Sequence, residues 1–423
     1  MRRVPLALAA LVGAAALALA PAAGAGAWSA PVRVSPPDRA AYGAASIAAG
    51  SGGAALAAWV RTPAGAPLAA GRVQVAARRA GRGWGRPRTL SGPGASLTRV
   101  ALTSRGDAAA VWRNGGLIVA AVRPGHAGPW RRGRVAEAGA PVQELAVALD
   151  RRGRATVVWV EQRGDGFQVR LATSDAAGAE WSVRAARLAT PGPEPPSLAL
   201  SPGRGALAAW VDDGRVLASR TVAGAFERPV EMSEADGSSA GAALGGSGSA
   251  LVSWSVHLPG GTEVLQAAGR PAAAPRWGSA EDVGIGGAPA VALNSVGDAV
   301  VAWGRGAGSG DQLVEASTRR GGGLWRATTV VAVRRCDCTV SATAAAVDGG
   351  GTAVVSWRRD EGDAGQSGGA AALAPAGDRW EAAPISGGGA AGPPAVSAAP
   401  TEGEAAAWSV GGPGGGVRAA QRR

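Results

Sequence analysis

Apolar residues recur along this chain in short runs, each closed by a turn of Gly, Pro, Asp or Ser. One stretch reads Val291-Ala292-Leu293, a turn at Ser295-Val296-Gly297-Asp298, then Ala299-Val300-Val301-Ala302-Trp303. A loop precedes a third run, Leu313 to Ser317, and a Gly-containing turn leads to a fourth, Trp325 to Val331. Short runs bounded by turn residues predict β-strands. Alanine favours helix, but Gly or Pro interrupts nearly every run of about ten residues, too short for a helix that stands alone.

The four-run unit repeats, and tryptophan marks it. Trp59, Trp112, Trp159, Trp210, Trp254, Trp303, Trp357 and Trp408 each end a second run, 44 to 54 residues apart. Trp84, Trp130, Trp181, Trp277, Trp325 and Trp380 open a fourth run, with Phe226 standing in once and Trp28 without a predecessor. Four strands per unit of about 50 residues predict an all-β fold, a single β-propeller. Eight first-slot tryptophans imply about eight four-stranded blades, with seven the alternative. The last unit stops after a third strand, Val417 to Gln421, while residues 28–34 supply a fourth strand with no blade of their own. Pairing the two closes the ring and removes exposed sheet edges.

Before that strand, Arg2 and Arg3, an apolar Val4 to Leu19 and small residues at Ala23 to Ala27 read as a signal peptide over 1–27. The expectation is a secreted, extracellular propeller over 28–423, with Arg2-Arg3 leaving twin-arginine export open. No later segment has the length of uninterrupted apolar sequence that a membrane helix needs, so no membrane association is expected after cleavage, and the chain is expected to be a monomer.

The formal net charge is +12, and every one of the 43 basic residues is arginine. The arginines are scattered through the repeats with little aromatic interleaving, which argues against nucleic acid as a partner. Cys336 and Cys338 form Cys-Asp-Cys, a candidate local disulfide in a secreted chain. Four-ligand metal spacing is absent, so no metal and no cofactor are expected.

The turn before the second-slot tryptophan resembles the Asp-box (BNR) repeat of sialidase-like propellers, Ser-x-Asp-x-Gly-x-x-Trp. Ser174 to Trp181 matches in Ser, Gly and Trp with the Asp displaced by one. Thr318 to Trp325 keeps Gly322 and the Trp, and Gly81 and Gly377 also lie three residues before theirs. The resemblance implies a propeller in which this turn is structural. A sialidase would further require a Tyr nucleophile assisted by Glu, an Asp acid/base and three Arg gripping a carboxylate. The sole tyrosine is Tyr42, with no Glu obviously paired to it, and Arg61, Arg113 and Arg358 follow first-slot tryptophans.

The loops after the first-slot tryptophans vary in length, which is where repeat proteins place specificity. The ligand-face candidates are therefore Arg61, Arg113, Glu161, Asp212, Asp311, Arg358 and Asp360. With no catalytic set assignable, the reading is a non-catalytic binding or scaffold module for an unknown protein or carbohydrate ligand. The alternative is a sialidase-like glycoside hydrolase, whose two carboxylates would have to stand about 5–9 Å apart.

Overall fold

The computed structural model describes residues 28–422 apart from 176–177, 179, 234–235, 308–309, 336–337, 361–365, 376, 378, 383–393, 399–403 and 411–415. The expected signal segment and Cys336 thus lie outside the described residues; Cys338 is disulfide-bonded. The strands assemble into eight antiparallel sheets in a ring, an eight-bladed β-propeller. Blades 1 to 8 are numbered by their second strands: Ala55–Thr62, Ala108–Asn114, Ala155–Arg163, Gly205–Asp212, Ala250–His257, Ala299–Ala307, Ala353–Asp360 and Glu404–Val410. Each contains one first-slot tryptophan.

Blade 8 is built from both ends of the described chain. Val32–Arg33 pairs antiparallel with Gly416–Arg422, Val32 opposite Ala419 and Arg33 opposite Arg418. The seam is reinforced by serine side chains: the Gln421 N–H donates to Ser29 Oγ (3.0 Å) and the Val417 N–H to Ser35 Oγ (2.9 Å). Serines also cap the open inner edges between blades, where Ala49, Val100 and Ala242 N–H groups donate to Ser397, Ser46 and Ser197 hydroxyls. An unpaired inner edge would otherwise offer a template for a foreign strand.

The second strands are mostly alanine and valine, which cannot fill the roughly 10 Å between facing sheets. The first-slot tryptophans do so, each against the preceding blade. Trp59 packs with Ala405, Ala407 and Val417 of blade 8, and Trp159 with Val111, Ile118 and Ala120 of blade 2. Six of the eight have almost no exposed surface. At about 25 cal/mol per Å² each buried indole contributes an upper bound of about 4–6 kcal/mol. The space is made by small residues, since a Cβ at Gly369, opposite Trp357, would fall 2.2 Å from the ring. The second-slot tryptophans lie further out and, Trp380 apart, are only partly buried. Three of the turns before them use a left-handed glycine, at Gly81, Gly178 and Gly322, which explains the Gly-x-x-Trp spacing.

A second device joins the blades at the far end of the third strands. Arg270, Arg319 and Arg422 stand there in blades 5, 6 and 8, each opposite the first residue of its second strand. Each reaches back to a glutamate just after the second-slot aromatic of the previous blade: Arg270 to Glu227 (2.7 Å), Arg319 to Glu281 (3.9 Å) and Arg422 to Glu381 (3.3 Å). All three guanidinium groups are more than nine-tenths buried.

Candidate functional site

Hairpins joining second and third strands share one face with the connections between blades. Backbone bonds tie them together: Ala138 N–H to Gly116 O, Gly237 N–H to Gly214 O and Gly286 N–H to Glu263 O. The sequence-predicted residues stand on this face but are spread over six blades, with only Arg358 and Asp360 sharing one. Arg61 Nε donates to Asp38 (2.9 Å), which also accepts from the Tyr42 hydroxyl (2.5 Å). Burial and the Asp38 carboxylate push the Tyr42 phenol up, so the sole tyrosine is a buried donor to an Asp rather than one paired with a Glu. Arg113 spans from Ser96 Oγ (3.0 Å) to the Val142 carbonyl of blade 3 (3.4 Å).

Glu161 has no exposed surface. Its carboxylate accepts from Trp159 Nε1 (2.7 Å), Arg163 (2.9 Å) and Arg170 (2.9 Å), with Arg170 lying 5.1 Å above the Trp159 ring. Burial raises its pKa, but these hydrogen bonds outweigh it and hold the group below the ordinary carboxylate range. Glu315 plays the same part for Trp303 in blade 6. Asp212 opens a two-residue hairpin in which Asp213 and Gly214 both have positive φ, as a type I′ turn requires. Asp311 ends the hairpin of blade 6, and Arg358 and Asp360 are partly buried in the second strand of blade 7. Among the described residues no group of three or more His, Cys, Asp or Glu could hold a metal ion.

The structure instead gathers polar groups at blade 5. Ser238 Oγ lies 3.0 Å from Ser255 Oγ, 3.3 Å from Glu263 Oε1 and 3.5 Å from His257 Nδ1, while His257 Nε2 is 3.9 Å from Glu263. His257 is exposed. Neither His257 contact falls within the roughly 3.2 Å that proton transfer between nucleophile and base needs, but the group offers donors and acceptors to a ligand. The next residue, Ser239, lines a cavity of about 230 Å³ shared with Glu194, Pro195, Trp210, Ala288 and Pro289 of blades 4 and 6. Ser239 and Ala288 have φ of 49° and 50° and sit in inner-strand bulges opposite the first-slot tryptophans. Non-glycine residues adopt this conformation at a cost of about 1–2 kcal/mol, and such strain clusters where backbone meets ligands. The sequence carries little trace of this site: serines in a Gly-rich strand have no periodicity, and a bulge has no composition of its own.

One further carboxyl stands out. Glu144, on the inner strand of blade 3 beside its bulge, is pushed by burial up to about 7, against the opposing pull of Arg99 in blade 2.

No known protein family and no curated protein matches the chain by sequence. Solved structures do. The Dos1 propeller is 9% identical, with 93% of this chain and 94% of that chain covered, at a TM-score of 0.51. The Hadza microbial sialidase Hz136 is 11% identical over 82% of this chain and 81% of its own, at 0.39. The six-bladed fucose-recognising lectin of Aleuria aurantia is 13% identical over 70% and 95%, at 0.40. The likeness at these identities is one of architecture: the chain is a β-propeller of eight blades.

Proposed function

We propose that this protein is a secreted, non-catalytic propeller that binds a glycan or protein ligand through the face carrying the second-to-third strand hairpins. The observation that carries this reading is the cavity between blades 4, 5 and 6, walled by strained inner-strand bulges and flanked by Ser238, His257 and Glu263. Polar groups beside an apolar wall suit recognition of a sugar or a side chain. The groups a sialidase would use are committed elsewhere: Tyr42 to Asp38, Arg61 to Asp38 and Glu161 to Trp159. A panel of glycans and extracellular proteins screened against the full chain, followed by His257→Ala and Glu263→Gln, tests it. Binding weakened at least fivefold by either change, with unaltered melting, supports the reading; binding indifferent to both refutes it. A glycoside hydrolase is the second reading, in which Glu144, on the inner strand of blade 3 with burial raising its carboxyl to about 7, would serve as the general acid.

A further inference from the structure

The arginine-to-glutamate tie between blades is inverted at one seam. Arg123 of blade 2 occupies the same register as Arg270, Arg319 and Arg422, opposite Ala108 at the start of its second strand. It is equally buried, at 7% exposure, and lies 5.2 Å over the Trp130 ring, much as Arg319 lies over Trp325. Its partner glutamate is missing. Blade 1 presents Arg86 and Arg88 after its second-slot Trp84, where blades 4, 5 and 7 present Glu227, Glu281 and Glu381. Among the described residues Arg123 forms no ion pair. Its guanidinium donates to the Gly125 and Gly106 carbonyls (3.0 and 3.3 Å). Burial first, then Arg79 and Arg88, depress its pKa. Asp107 opposes that shift but is occupied by the Gly125 N–H (2.7 Å) and Thr103 (3.0 Å).

A cavity of about 200 Å³ lies at this seam. Arg86, Arg88, Arg123 and His126 contribute to its lining, Val75 and Leu102 give it an apolar wall, and no Asp or Glu lines it. A buried cation with no ion pair is costly, and Arg79 and Arg88 add to the positive charge at this one while Asp107 offsets it only in part.

We propose that the cleft between blades 1 and 2 is an anion-binding site, in which an oxyanion of an acidic oligosaccharide takes the place that a glutamate carboxylate fills at three other seams. Guanidinium groups grip carboxylate and sulfate alike in bidentate fashion. The volume suits one sugar-sized unit, and the apolar wall suits the C–H face of its ring. Nucleic acid fits less well, because Arg123 covers the Trp130 face on which a base would stack. The site lies at the opposite end of the third strand from the face proposed above, so either can be lost without the other.

The test is titration of the full chain with a sulfated oligosaccharide, a uronate oligosaccharide, an uncharged oligosaccharide, inorganic sulfate and single-stranded DNA. Arg86→Ala/Arg88→Ala should weaken binding of the acidic oligosaccharide at least tenfold and lower the salt slope by about two. Arg151→Ala/Arg152→Ala, an exposed pair on blade 3 with the same charge loss, should stay within twofold. Arg88→Glu, which restores the carboxylate, should raise the melting temperature without ligand and abolish the ligand-induced rise. Equal loss in both double variants, no binding of either acidic oligosaccharide, or binding of sulfate or DNA as tight as theirs overturns the proposal.

Discussion

Replacing Glu161 with alanine should destabilise the ring while leaving the lining of the cavity between blades 4, 5 and 6 unchanged. Three donors converge on this carboxylate, and their surroundings set the cost. The Trp159 N–H would be left unsatisfied at a position with no exposure, worth about 1–3 kcal/mol. Arg170 keeps only 14% of its side chain exposed and would become an unpaired buried charge, for which breaking a buried pair costs about 3–5 kcal/mol. Arg163 is about half exposed and adds little. These terms share one group and do not add, so about 3–5 kcal/mol is expected. In a chain of this size that corresponds to a fall in Tm of roughly 4–6 °C. Calorimetry at pH 7 measures it, with Arg163→Ala as a control that should move Tm by less than about 2 °C. Glu161 is held below the ordinary carboxylate range, so its contribution is present above that range and lost as the pH falls through the folded value. The gap between wild type and variant should therefore narrow below about pH 4. A loss under about 1 kcal/mol at pH 7, or a gap that persists in acid, would refute the account of Glu161 as a buried anchor.

Deleting residues 28–35 removes the outer strand of blade 8 with its Ser29 and Ser35 contacts; melting should fall and aggregation rise, and an unchanged melt would contradict closure through this seam. Glu404 behaves oppositely to Glu161. Burial first, then the adjacent Asp348 carboxylate, raises it to about 7, with Arg422 opposing. Its folded value exceeds its unfolded one, so stability is present in acid and is lost as pH rises through about 7. Glu404→Gln should accordingly raise Tm at pH 8 by an amount equivalent to at most about 3 kcal/mol, and leave it unchanged at pH 4; an equal shift at both values would show that ionisation is not the cause.

The architecture was written in the sequence because tryptophan is the one residue large enough to fill the gaps between alanine-rich sheets. Its spacing therefore reports the blades directly, and Trp28 reports the strand that joins blade 8. The site was not written in this way. In the sequence Glu161 and Arg61 read as ligand-face candidates, yet Trp159 and Asp38 engage them as structural partners, which no local spacing announces. Conversely, arginines that read as scattered are brought together at the seam of blades 1 and 2, because Arg86 and Arg88 belong to one repeat and Arg123 to the next. Register across a seam is a property of the closed ring, and only comparison of equivalent positions in three dimensions reveals that a glutamate has been exchanged for arginine. The bulges at Ser239 and Ala288 escaped for a different reason: backbone strain has no residue signature when the strained residue is not glycine.

The central functional claim, recognition without turnover, is tested most directly by following a bound oligosaccharide through a prolonged incubation with saturating protein. The account predicts saturable binding, sensitivity to His257→Ala, and ligand recovered intact. Cleavage products that accumulate with wild type and vanish with Glu144→Gln would contradict it and establish an enzyme.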